Sequence, residues 1–211
     1  MRPTVWTSRR QWIGNLIPML FWLPPTMIGL VWMGLKAQLV GPGLGLVALG
    51  TILGWLALNQ FGFYENGRMR RQLERILADR QEELPVDRNF VGFATPSYTG
   101  LVDAHEDVGF FYLRPSEAVF ISETRKLEIE RLSLADVRFR PNIHTFVGLG
   151  GWISLEGHNE GKPFRLMIEP RDRRTLIGNL RRREAVRSKI RRWLKDGTTP
   201  VPPKPEAQNA R

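Results

Sequence analysis

The chain contains no cysteine. That excludes a disulfide framework, a thiolate-held zinc or iron–sulfur centre and a thiol nucleophile. Histidine is scarce as well: His105, His144 and His158 are the only three, and each lies in a predicted turn or at its edge. None sits in an HExxH spacing, and no Ser-centred nucleophile elbow is present. Gly148-Leu-Gly-Gly151 lacks the Lys-Ser/Thr of a P-loop and is followed by a strand pattern, so it reads as a strand connection. The most telling shortage is of charge. Residues 11–64 carry one charged side chain, Lys36, whereas the other 51 fall in the remaining 157 positions.

What is present is therefore two kinds of sequence in 211 residues. Lys and Arg number 31 against 21 Asp and Glu, for a formal charge of +10. Between Arg10 and Lys36 run 25 uncharged residues, and between Lys36 and Glu65 run 28. Each run exceeds the ~20 residues needed to cross ~30 Å of hydrocarbon as a helix. Two transmembrane helices are expected, at 12–35 and 39–62, joined by a turn around Lys36, Gln38, Gly41, Pro42 and Gly43 into an antiparallel hairpin. A cleaved signal peptide fits poorly, because the first run is long, starts late and is followed by a second. Pro18, Pro24 and Pro25 leave a broken or re-entrant first span as the alternative, since an interior proline removes a backbone donor.

Arg2, Arg9 and Arg10 precede the first span and Arg68, Arg70, Arg71 and Arg75 follow the second. By the positive-inside rule both termini are expected to be cytoplasmic, in an inner (cytoplasmic) membrane. Most of Trp6, Trp12, Trp32, Trp55, Phe61, Phe63 and Tyr64 fall near the expected span ends, where amphipathic rings favour the interface. Gly50 and Gly54, spaced by three residues, allow close helix approach. Packing within the hairpin is the preferred reading over a homodimer face.

Past the membrane, Met69, Leu73, Ile76, Leu77 and Leu84 form one stripe of a helix over Asn66–Leu84, ended by Pro85 and expected to pack on the following domain. Strand signals then follow at Thr99–Ala104, Val108–Leu113, Ala118–Ser122, Lys126–Arg131, Val137–Arg140, Trp152–Glu156 and Pro163–Glu169. In Leu127-Glu-Ile-Glu130 and Phe164-Arg-Leu-Met-Ile-Glu169 apolar and polar residues alternate, as in an antiparallel sheet with one wet face. A closing helix is expected over about 171–195, with Leu176, Leu180, Ile190 and Leu194 on one stripe. The expected organisation is a cytoplasmic N-terminus (1–11), a transmembrane hairpin (12–64), a juxtamembrane amphipathic helix (65–85), a sheet domain (86–196) and a Pro-rich disordered tail (197–211).

About seven antiparallel strands followed by one amphipathic helix resembles the pleckstrin-homology-like (PH-like) fold, including its GRAM-like and bacterial PH-like groups. The resemblance covers roughly 90–195 and rests on strand order, on Gly109–Glu123 (GFFYLRPSEAVFISE), on Leu127–Phe139 (LEIERLSLADVRF), on Gly151–Gly157 (GWISLEG) and on the closing helix. It implies an α+β membrane protein in which the last helix caps a bent antiparallel barrel or sandwich. In one respect the chain departs from the pattern. Lipid-binding members of that group hold phosphates with basic residues in the first hairpin loop, whereas the corresponding turn here is His105-Glu106-Asp107, which argues against phosphoinositide recognition.

His105, Glu106 and Asp107 could in principle supply a base and carboxylates, but a solvated hairpin tip accounts for them equally well, and no enzyme, cofactor or metal is expected. The strongest chemical feature is basic charge on the closing helix: eleven Lys and Arg against three acids between Arg171 and Asp196. Arg181, Arg182, Arg183, Arg187, Arg191 and Arg192, with Arg68, Arg70, Arg71 and Arg75, are the candidate contacts to anionic lipid head groups or to a protein partner. Arg183 and Arg187 fall on the apolar side of the helical wheel and must either snorkel or leave the barrel. Nucleic acid is disfavoured, since no aromatic stacking pattern accompanies the charge. The sequence thus reads as a non-catalytic, membrane-anchored adaptor, with an accessory subunit of a larger membrane complex as the alternative and a homo-oligomer left open.

Overall fold

The computed structural model describes residues 3–61, 64–100, 103–146 and 148–196. The Pro-rich tail expected at 197–211 lies outside the described residues. Residues 3–7 form a bent strap that enters helix α1 (Ser8–Leu35) at Thr7, whose hydroxyl caps the amide of Arg10. Pro18, Pro24 and Pro25 all sit inside α1 without dividing it, so the first run is one continuous helix of 28 residues. A single 3₁₀ turn (Ala37–Leu39) reverses the chain into α2 (Val40–Phe61).

Glycines bring these two helices together. A Cβ on Gly29 would meet the Gly43 carbonyl oxygen at 2.5 Å, one on Gly50 the Thr26 Oγ1 at 2.6 Å and one on Gly54 the Trp22 Cβ at 2.6 Å. Gly50 and Gly54 are therefore consumed by packing inside the hairpin. Both helices are long and apolar enough to cross a membrane. Their outer faces display Trp12, Leu20, Val31, Leu44 and Ile52.

Helix α3 (Asn66–Asp79) follows after a short turn and ends earlier than the sequence suggested. The stop is a Schellman-type cap rather than Pro85. Gln81 takes φ +59°, its amide bonds the Ala78 carbonyl and the Glu82 amide bonds the Leu77 carbonyl.

Seven strands then form one antiparallel sheet: β1 (Asn89–Ala94), β2 (Asp107–Leu113), β3 (Glu117–Ser122), β4 (Lys126–Glu130), β5 (Leu134–Arg140), β6 (Trp152–Asn159) and β7 (Lys162–Pro170). Their spatial order is β4-β3-β2-β1-β7-β6-β5. The expected barrel is not closed. β1 joins the two halves by pairing with both β2 and β7, while β4 and β5 remain edges. Leu127, Ile129, Phe164 and Leu166 instead line a groove of about 390 Å³ between β4 and the β6–β7 hairpin. That hairpin turns tightly through Glu160 and Gly161, both at positive φ.

Two further expectations fail locally. β1 had no strand of its own in the sequence reading, and Thr99–Ala104 is not a strand at any described position. The cause is burial on both faces. β1 to β3 are almost wholly buried, so Asn89-Phe-Val-Gly-Phe-Ala94 shows no alternation, whereas edge strand β4 alternates as expected.

One face of β1–β3 is covered by Met69, Leu73 and Leu77 of α3 together with Val5 and Trp6 of the strap. The other belongs to the main core, which Val186 and Ile190 of α5 (Leu176–Asp196) close. Each such side chain contributes about 1.5–3 kcal/mol on burial. α5 begins later than expected, because Arg171–Thr175 leave β7 as a non-helical segment.

Candidate functional site at the base of the hairpin

The strap before α1, the start of α3, the end of β7 and the loop entering β2 converge on one buried polar cluster. His105 lies at its centre and is 0% exposed. Its Nδ1 is 2.6 Å from Asp103 Oδ1 and its Nε2 is 3.0 Å from Glu169 Oε2, so both ring nitrogens face carboxylates. The Arg171 guanidinium approaches Nδ1 at 3.2 Å. With the imidazole protonated, two cations and two carboxylates share one buried site and their formal charges cancel.

Neighbouring elements satisfy the remaining polar atoms. Glu169 accepts from Asn142 Nδ2 at 2.9 Å and from the Gly151 amide at 3.0 Å. Arg171 Nε donates to Asn66 Oδ1 at 3.0 Å, and Asn66 Nδ2 returns a bond to the Arg171 carbonyl at 2.9 Å, which fastens the first residue of α3 to the end of β7. Trp6 Nε1 donates to the His105 carbonyl at 3.1 Å, and the Arg171 guanidinium lies 4.8 Å from the Trp6 ring centroid. Gly92 makes the space: a Cβ on this β1 residue would fall 1.9 Å from His105 Cδ2.

Burial alone would depress the His105 pKa, but the charge and hydrogen bond of Asp103, then the bond to Glu169, outweigh it and hold the value above the usual one. Burial would likewise raise Asp103, yet the facing His105 and Arg171 leave it lowered. Burial lowers Arg171. The cluster is a charge-paired clamp with His105 fully buried, so the solvated tip expected there is corrected: the turn is folded inward. Only His105 of that triplet enters the clamp. Glu106 bonds Thr95 and pairs with Arg125, and Asp107 accepts from Ser122 and Thr124. His158 is exposed.

The same junction grips both ends of the hairpin. Ahead of α1, the Thr4 and Val5 amides donate to Glu123 Oε2 at 2.7 Å each, and Arg10 pairs with Glu65 at 2.7 Å. At the end of α2, Asn59 Oδ1 accepts from the Ile177 amide at 3.0 Å, and Leu58 packs with Leu149 and Leu176.

The arginines singled out from the sequence divide into two groups. Arg68, Arg71 and Arg75 lie on the α3 face opposite Met69 and Leu73, and with Arg181 and Arg192 of α5 they are exposed with no ion-pair or hydrogen-bond partner among the described residues. The others are engaged within the fold. Arg70 pairs with Glu74, Arg182 reaches Asn89 and Asp172, and Arg187 pairs with Glu184. Arg191 donates to the Val137 carbonyl, and Arg183 bonds the Gly150 carbonyl while lying 4.5 Å from the Phe139 ring centroid. Arg183 thus resolves its wheel position by lying down on the domain and Arg187 by pairing with Glu184 on its own helix; α5 does not leave the domain.

Sequence reasoning missed the clamp, since Asp103 and His105 lie in one stretch and Glu169 and Arg171 in another more than sixty positions on. The signal that was available is Gly92, a lone glycine inside an apolar strand. The fold and junction define a class: an antiparallel sheet domain locked to an apolar helical hairpin. No known protein-family model matches the chain, and no curated protein matches it either.

Proposed function

We propose that the chain is a non-catalytic, membrane-anchored binding module. The hairpin α1–α2 crosses the inner membrane with both termini on the cytoplasmic side, and the sheet domain, a PH-like module, is held against the anionic leaflet. The observation that carries this reading is the clamp at the hairpin's base, which fixes strap, α3 and domain as one body. It keeps Arg68, Arg71 and Arg75 within a few turns of the end of α2. Charges so placed attract anionic head groups by about 1 kcal/mol each. The order of seven strands and one closing helix supports the PH-like reading, and the inaccessible His105 supports the absence of catalysis.

A reporter fused after Arg211 is expected on the cytoplasmic side and one inserted at Gln38 on the outside. Release of the full chain from membranes by alkaline carbonate, without detergent, would overturn the proposal. The second reading, an accessory subunit of a larger membrane complex, is favoured by one feature. An apolar groove of about 360 Å³ between α1 and α2, lined by Pro18, Met19, Trp22, Trp55 and Leu58, has the character of a seat for a further span. A stoichiometric membrane partner retained in mild detergent would favour that reading.

A further inference from the structure

We propose that Phe146 inserts into the bilayer interface beside the end of α2, making the single turn α4 (Ile143–Phe146) a second, peripheral membrane contact of the domain. The inference rests on the reading that α1 and α2 span the bilayer.

Phe146 is 87% exposed, among the most exposed large apolar side chains in the chain. Isolated exposed apolar residues are ordinary on protein surfaces, so exposure alone decides nothing. Placement does. Leu149, three residues on, is buried against Leu176 and Leu58, and Leu58 belongs to the last turns of α2. Three residues reach at most about 11 Å, so Phe146 lies within that reach of the Leu149 contact with the span.

Described residues on both sides of Phe146 are anchored. Asn142 Nδ2 is anchored on Glu169, Thr145 Oγ1 donates to the Gly150 carbonyl at 3.0 Å, and Arg183 Nη1 donates to the same carbonyl at 2.9 Å. Exposed Arg174 and Arg181 flank Leu176 and Ile177 on the segment touching α2, so cations border the same Leu149 contact that Phe146 precedes in the chain. An aromatic ring and arginines next to the end of a span have the composition of an interfacial anchor. Among the described residues, the other two highly exposed apolar side chains lie elsewhere. Leu132, 91% exposed, follows Arg131, which lies over Trp193 near the far end of α5, and Val86, 97% exposed, is next to Asp87, which pairs with Lys189.

Because the chain has no cysteine, single-cysteine probes test this directly. Phe146→Cys, Leu132→Cys and Ile52→Cys, each labelled with an environment-sensitive fluorophore, are placed one chain per nanodisc of phosphatidylcholine and phosphatidylglycerol, and quenched with aqueous iodide. Phe146 and Ile52 probes are expected to be quenched several-fold less than the Leu132 probe. If the Ile52 probe is shielded while the Phe146 probe is quenched like Leu132, the interfacial contact is overturned and the spanning hairpin stands. Quenching of all three overturns both.

Discussion

His105 and Glu169 lie 64 positions apart in sequence and meet at 3.0 Å, Nε2 to Oε2, with the imidazole held on its other side by Asp103. Through this contact β7 is tied to the loop entering β2. Through Arg171 and Trp6 the same group reaches α3 and the strap ahead of α1.

Breaking one side of that arrangement leaves an uncompensated buried charge, which typically costs about 3–5 kcal/mol. Glu169→Gln should therefore lower the stability of the purified chain by that order, read by chemical denaturation in detergent. A loss below about 1 kcal/mol would show that the pairing is not carried by charge.

The stability should also depend on pH in a definite sense. His105 is raised above its ordinary 6.5, so its contribution is complete below that value and is lost as pH rises through the elevated folded pKa. Asp103 is lowered below its ordinary 3.8, so its contribution is present above that value and is lost as pH falls through the depressed folded pKa. Thermal melts should peak between these limits, and His105→Gln should abolish the alkaline decline. An unchanged alkaline limb in that variant would assign the decline to another group.

Gly92→Ala should act on the same cluster without touching any charge. Its new methyl would occupy the space of the His105 ring, and since both neighbours are confined, the cost is expected at about 1–3 kcal/mol or more. Gly45→Ala inside α2, where nothing lies within 4 Å, is the control and should not lower the melting temperature.

The division of the arginines predicts opposite phenotypes. Arg68→Gln, Arg71→Gln and Arg75→Gln combined should reduce the phosphatidylglycerol that copurifies with the chain from mixed membranes, with little change in melting temperature. Arg183→Gln removes the bond to Gly150 and the contact with Phe139, so it should lower the melting temperature while leaving the lipid ratio intact. Equal effects of the two on lipid would refute the division.

Much of the architecture is legible one segment at a time. The two uncharged runs, the amphipathic stripe of α3 and the alternation of β4 are periodic or local signals, and the elements stand close to where those signals fall. Lone β1 fails because a strand buried on both faces has no period, and the barrel fails because nothing local states whether β4 and β5 meet.

By itself the sequence determined the segregation of apolar hairpin from basic domain, because hydropathy and charge are properties of consecutive residues. Only the tertiary structure decided that His105 is buried, that Asp103, Glu169, Arg171 and Trp6 surround it, and which arginines remain open to solvent. Those outcomes depend on contacts across as many as about a hundred positions, such as Asn66 with Arg171, and side-chain pairing at that range leaves no period or spacing along the chain.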